Sequence, residues 1–244
     1  MKYYLGYDCG TMGTKVAIFS EDSTLVSVAY RPHRIDYPRP GWAEMDADQF
    51  YTLTSEGVRE CLEKSGIDPH DIRAISCSGV ICGIVPIDDT WNAVGPYIPY
   101  LDGRSRDIVK RVTETVEPIW KKESGNAVFG AYVPPMILKW LLEHERDLIK
   151  RARKVVAGAH YVMGKLGGLS ADRAFIDWSH LSGWIIGFDV RKRGWSERQM
   201  ELLGIPFEIL PEVKRPWDVV GTLTREQADR LGLVEGDTPR RGGR

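Results

Sequence analysis

The sequence predicts an α/β chain in which helices pack against a mixed β-sheet, and three observations carry that reading. Three strand-like runs open the chain with tight turns between them, a long helix follows, and strand runs resume after it. A meander with tight turns pairs antiparallel, because parallel neighbours need a long crossover. The composition, 43% apolar and 27% charged, lies near the globular average and excludes disordered and collagen-like chains.

The opening strands are Tyr3–Tyr7, Lys15–Ser20 and Leu25–Arg31, with Glu21-Asp22-Ser23 as the turn between the last two. Pro32 to Asp46 reads as a loop, since it holds three prolines and a glycine. Asp46 or Asp48 caps the helix Ala47–Ser65, which Gly66 ends. Ile72–Cys77 and Cys82–Ile87 are two further strands, with Gly79 and Gly83 at their junction. From Arg104 to Leu203 the pattern turns mainly helical. Pro134 opens a segment with Ile137, Leu138, Leu141 and Leu142 spaced for one helix face. Ala159–Leu166, Phe175–Leu181 and Ser196–Leu203 read as short helices, and Arg225–Leu231 as a last one between Thr224 and Gly232. No internal repeat or low-complexity linker divides the chain.

Charge and apolar runs exclude some partners. With 33 Lys+Arg against 34 Asp+Glu, the net charge of −1 gives no long-range field for nucleic acid or an anionic membrane. No stretch reaches the ~18 to 20 apolar residues of a membrane helix. The start, Met1 to Asp8, has no apolar signal-peptide core, so the expected location is cytoplasmic. Cys9, Cys61, Cys77 and Cys82 are irregularly spaced with no C-x-x-C, which predicts reduced, unligated thiols.

The octapeptide Asp8-Cys9-Gly10-Thr11-Met12-Gly13-Thr14-Lys15 joins two strands as a tight hairpin. Gly10 and Gly13 let the backbone approach a ligand closely, and successive N–H groups in such a turn form an anion-binding nest. Asp8 stands where it could hold magnesium through water, and Lys15 brings a positive charge. The alternative is an ordinary glycine hairpin with an incidental acid and lysine. The spacing fits neither a Walker loop nor a dinucleotide fingerprint.

Further segments follow in order: Gly41-Trp42-Ala43-Glu44-Met45-Asp46, Asp102-Gly103-Arg104, Asp177-Trp178-Ser179-His180-Leu181-Ser182-Gly183, Gly187-Phe188-Asp189-Val190, Trp195-Ser196 and Leu210-Pro211-Glu212-Val213. In this order the chain resembles the N-terminal half of the FGGY family of carbohydrate kinases, from Lys2 to about Gly236. The resemblance implies a ribonuclease H-like, actin-type ATPase domain at residues 1–236, the first of two domains that enclose the active site. It implies ATP-dependent phosphorylation of a sugar or polyol, with ATP and Mg2+ as cofactors. By the same resemblance Asp8, Gly10, Thr11, Thr14 and Lys15 face the ATP phosphates, with Asp8 at the metal. Trp42, Glu44, Ile81, Cys82 and Asp102 face the sugar. A polyol needs acceptors for its hydroxyl hydrogens and an aromatic wall for its C–H face, which these residue types provide.

Each residue also has a plainer reading. Trp42 and Trp178 pack at a core or rim, Glu44 is a solvated acid before a helix, and Asp102 is a turn acid paired to Arg104 or Arg106. Asp177 and Ser179 cap a helix, and His180 is structural or exposed. Cys82 has no neighbouring base to make it a nucleophile. The xylulose kinases of the family carry Gln-Met-His where Val80-Ile81-Cys82 stands, and the glycerol kinases an Arg-Glu pair, so neither sugar is favoured.

Residues 237–244 depart from the pattern. Family members continue into apolar strand residues and a glycine cluster ending in the aspartate general base. Here Arg240 and Arg241 replace the apolar residues, and Arg244 follows Gly243 where that aspartate belongs. No residue of the chain is therefore assigned as the catalytic base. The expectation is an N-terminal half that is inactive alone, its C-terminal kinase domain missing through a shifted frame or separately encoded. The alternative is a non-catalytic sugar- or phosphate-binding module. A more distant actin-like ATPase would lack the ordered Gly-Trp-x-Glu, Asp-Gly-Arg and Asp-x-Ser-x-x-Ser-Gly segments.

Overall fold

The computed structural model describes residues 1–115, 119–126 and 129–236; the departing tail at 237–244 lies outside the described residues. β1 (Tyr3–Cys9), β2 (Gly13–Ser20) and β3 (Leu25–Pro32) form the antiparallel meander, and α1 (Ala47–Ser65) leads to β4 (Ile72–Gly79). β4 pairs parallel to β1, so the sheet is mixed, in the order β3-β2-β1-β4. The chain continues through β5 (Gly83–Ile87), β6 (Ile98–Pro99), α2 (Arg106–Thr115), α3 (Ile119–Ser124), α4 (Pro134–His144), α5 (Arg146–Arg151) and β7 (Lys154–Val156). Then come α6 (Gly158–Leu166), β8 (Phe175–Asp177), α7 (Trp178–Ser182), β9 (Phe188–Asp189), β10 (Gly194–Trp195), α8 (Glu197–Leu203), β11 (Glu212–Lys214) and α9 (Arg225–Leu231).

Alternation along the strands decides which face is covered. Leu5, Tyr7, Cys9, Val16, Ile18 and Ala29 point inward beneath α1 and α6. α1 buries Phe50, Tyr51, Thr54, Val58 and Cys61, one helical stripe. The Asp46 carboxylate accepts from the Asp48 amide at its start, and Gly66 at φ 64° ends it by donating to Leu62. On the other sheet face Tyr4, Phe19, Val26, Val28 and Tyr30 are exposed.

A second core lies around α4, where Met136, Ile137, Leu138 and Leu141 meet Ile84, Trp184, Ile186 and Leu203. The sheet β6-β5-β7 borders it, so β5 leaves the first sheet instead of extending it. One expectation is corrected here. Phe175–Leu181 is not a single helix: Phe175–Asp177 is a strand paired parallel to β11, and the helix begins at Trp178. β7, β9 and β10 likewise interrupt the segment expected to be mainly helical. The caps at Thr224 and Gly232 stand where the sequence places them, and Ser196, expected as the first residue of a helix, is the cap of α8. Among the described residues no helix is long and apolar enough to cross a membrane.

Candidate functional site

The hairpin between β1 and β2 is closed by the Gly10 amide, which donates to the Gly13 carbonyl at 3.1 Å. Thr11 and Met12 form its tip, and their amides carry no hydrogen bond among the described residues. The Tyr30 hydroxyl from β3 and the His33 amide just after it both donate to the Met12 carbonyl, at 2.9 and 3.0 Å. Asp8 pairs with Lys15 across the strands, so both side chains share one sheet face, beside Ser76 and Ser78. Thr14 points the other way, fully buried, with its hydroxyl 2.7 Å from His33 Nε2. Gly13 answers to packing, since a Cβ there would lie 2.5 Å from the Arg31 carbonyl oxygen and the Tyr30 ring. The free amide pair, the Asp8 carboxylate and Lys15 fit a magnesium-bound phosphate. The Thr14 hydroxyl is turned to His33 instead.

Trp42, Glu44 and Asp102 are brought together by Arg104. The buried Asp102 carboxylate accepts from the Arg104 amide and Nε at 2.9 Å each through Oδ1. Its Oδ2 accepts from Arg104 Nη2 at 2.9 Å and from the Ala43 amide at 2.7 Å. Arg104 Nη2 also donates to Glu44 Oε1 at 2.7 Å, which leaves Glu44 Oε2 open among the described residues. The guanidinium lies 3.9 Å from the Trp42 ring centre and 5.2 Å from that of Trp140, a cation–π arrangement in a desolvated site. Asp102 is thus a turn acid paired to Arg104, with both oxygens engaged.

Ile81 and Cys82 stand apart from that cluster, on the β4–β5 connection. Ile81 is exposed and abuts Gly183, while the Cys82 thiol donates to the Gly183 carbonyl at 3.1 Å. Burial pushes the Cys82 thiol up to about 11, which removes it as a nucleophile at neutral pH. This connection ties the hairpin to the Arg104 cluster. Val80 donates to the Cys9 carbonyl at 2.9 Å, Tyr97 Oη donates to the Cys82 carbonyl at 3.1 Å, and Tyr97 exchanges two 2.9 Å backbone bonds with Met45.

Residues 3–240 match the description of the N-terminal domain of the FGGY family of carbohydrate kinases. The chain belongs to the FGGY family. It is 26% identical over 240 residues to a glycerol kinase of Thermococcus onnurineus, covering 97% of this chain and 48% of that one. A xylulose kinase of Staphylococcus xylosus is 28% identical over 96% of this chain and 47% of its own length. The FGGY chain therefore spans about half the length of the relatives it matches. The solved xylulose kinase from Rhodospirillum rubrum superposes with a TM-score of 0.85 at 25% identity, over 96% of this chain and 47% of that one. A gluconate kinase from Lactobacillus acidophilus gives the same TM-score, 0.85, at 21% identity, over 96% and 46%. The fold is accordingly the ribonuclease H-like, actin-type domain of carbohydrate kinases.

His33 of this FGGY chain gains a role that sequence reasoning missed, and Arg104 a larger one than the expected pairing with Asp102. His33 braces the hairpin from beneath, and Arg104 links Asp102 to Glu44 and Trp42. The Asp-Gly-Arg tripeptide signalled the second, because a buried aspartate two residues before an arginine forms a local chelate. A lone histidine at the end of a strand carried no such signal.

Proposed function

We propose that this chain supplies the phosphate-turn and sugar-wall side of an ATP-dependent sugar or polyol kinase. The observation that carries the reading is the run of hydrogen bonds from Cys9 to Val80 and from Cys82 through Tyr97 to Met45, which joins a hairpin with two free amides to the segment that carries Glu44. Bound Mg·ATP supplies the phosphoryl group and the metal's charge stabilisation. The Thr11 and Met12 amides and Lys15 hold phosphate oxygens, and Gly10 keeps the turn tight enough to present them. Asp8 holds the metal through water. Thr14 contributes by locking His33 under the turn. Glu44 accepts a sugar hydroxyl hydrogen through its open oxygen while Arg104 fixes its position, and Trp42 walls the C–H face. Asp102 acts by orienting Arg104, and Ile81 and Cys82 make the neighbouring surface less polar.

The reaction takes place in the cytoplasm and needs the other cleft wall, a C-terminal kinase half carrying the general base. With one wall only, water reaches the phosphates and closure completes no site. An ADP-release assay over a panel of sugars and polyols tests this. The chain alone gives no turnover above buffer, and adding the C-terminal half of an FGGY relative produces it. Robust phosphorylation by the chain alone contradicts the proposal. Sugar binding without turnover in both conditions supports a non-catalytic binding module instead.

A further inference from the structure

Beside β4, three metal-ligating side chains converge from separate elements. His160 lies on α6, Asp177 ends β8 and His180 lies on α7. His160 Nε2 is 2.9 Å and His180 Nδ1 is 3.0 Å from the same oxygen, Asp177 Oδ2. The other oxygen, Oδ1, accepts from the Ser179 amide at 2.8 Å and the His180 amide at 3.3 Å as the cap of α7, and from the Ser179 hydroxyl. The carboxylate is thus held in place by one oxygen and presents the other between two imidazoles.

Charge balance is the unusual feature. The Asp177 side chain is only 14% exposed, and its ion-pair partners among the described residues are these two histidines, with no lysine or arginine. Hydrogen bonds alone, with no lysine or arginine, therefore surround this nearly buried carboxylate, and a bound cation would add a permanent opposite charge beside it. His160 Nδ1 and His180 Nε2 are also buried without a hydrogen-bond partner. The three potential ligand atoms lie within 4.8 Å of one another. Separations near 3 Å between Asp177 Oδ2 and each ring nitrogen are hydrogen-bond distances, and opening them by a few tenths of an ångström gives the spacing of tetrahedral ligands on bonds of about 2.1 Å. His160, Asp177 and Ser179 line a cavity of about 550 Å³, which offers an entry path and room for water as a further ligand.

We propose that His160, Asp177 and His180 bind a divalent transition-metal ion of the zinc class, which clamps α6 to the β8–α7 junction. Two imidazoles and one carboxylate suit such ions, whereas magnesium and calcium take oxygen ligands. On binding, the proton that each imidazole turns toward Asp177 Oδ2 moves to its other nitrogen, His160 Nδ1 or His180 Nε2, which frees the lone pairs that hold the ion, and the ion offsets the carboxylate charge. The site shares no residue with the hairpin proposed above to hold magnesium and phosphate, and it plays no part in phosphoryl transfer.

The test is a calorimetric Zn2+ titration of the chelator-treated chain, with Co2+ as a spectroscopic probe. One Zn2+ binds per chain and raises the melting temperature. Asp177→Asn, which keeps a helix-capping side chain, and His180→Asn each weaken binding at least tenfold, while His144→Asn leaves it unchanged. Imidazole 15N resonances read the site in the unsubstituted chain, so the test stands even if a variant fails to fold. Zn2+ shifts those of His160 and His180. Absence of one-to-one binding, shifts confined to His33, His70 or His144, or equal affinity in the Asp177→Asn and His180→Asn chains overturns the site. The two histidines and Asp177 are then a metal-free hydrogen-bonded triad.

Discussion

At the scale of single residues, Arg104 carries the most. Its side chain is 3% exposed and that of its partner Asp102 is fully buried. Arg104→Ala leaves that carboxylate buried and unpaired, which costs about 3–5 kcal/mol. Urea unfolding measures it as a lowered midpoint with an unchanged slope, and Arg104→Lys falls between, because a point charge cannot reproduce the fork. His33 makes a pH prediction. Burial lowers its pKa below the ordinary 6.5, so the unfolded chain takes up a proton that the folded chain refuses. Stability is therefore highest where both states are neutral and declines as pH falls through 6.5. His33→Gln flattens that part of the pH–stability curve, and an equally steep curve in the variant contradicts the assignment. The thiols give a third prediction. Burial pushes Cys77 up to about 12 and Cys82 to about 11, so alkylation at neutral pH is slow in the folded chain and complete after unfolding.

At the scale of elements, the parts read most easily from sequence are those fixed by local chemistry. Asp46 and Gly66 bracket α1 because a capping carboxylate and a left-handed glycine act within one turn of their own positions. β8 was not legible in the same way. Its three residues Phe175-Ile176-Asp177 are a strand only because Glu212–Lys214 lies alongside, more than thirty residues later, and so short a run has no period of its own. Gly164 shows how packing sets a requirement no local pattern reveals. A Cβ there would fall 1.8 Å from the indole of Trp91, itself buried and donating to the Tyr161 carbonyl at 2.9 Å. Gly164→Ala therefore destabilises the fold by about 3 kcal/mol, since the ring has nowhere to move. Gly66→Ala, where nothing lies within 4 Å, costs only the left-handed backbone penalty of about 1 kcal/mol. Thermal unfolding of the two variants separates these mechanisms.

At the scale of the whole molecule, the hairpin and the wall were visible in the sequence as separate fragments, but their union was not. Trp42, Glu44 and Asp102 meet because the loop before α1 crosses β6 through the Met45–Tyr97 bonds, a contact between distant segments. The same connection runs through Val80 to Cys9, so a path of hydrogen bonds joins the hairpin to the Arg104 cluster. The central claim is that the Gly10–Thr14 hairpin faces phosphate. Amide NMR of the 15N-labelled chain titrated with Mg·ATP tests it most directly. The account predicts weak, saturable shifts largest at Thr11 and Met12, with smaller ones at Gly10 and Lys15. Saturating shifts elsewhere with an unmoved hairpin would contradict it.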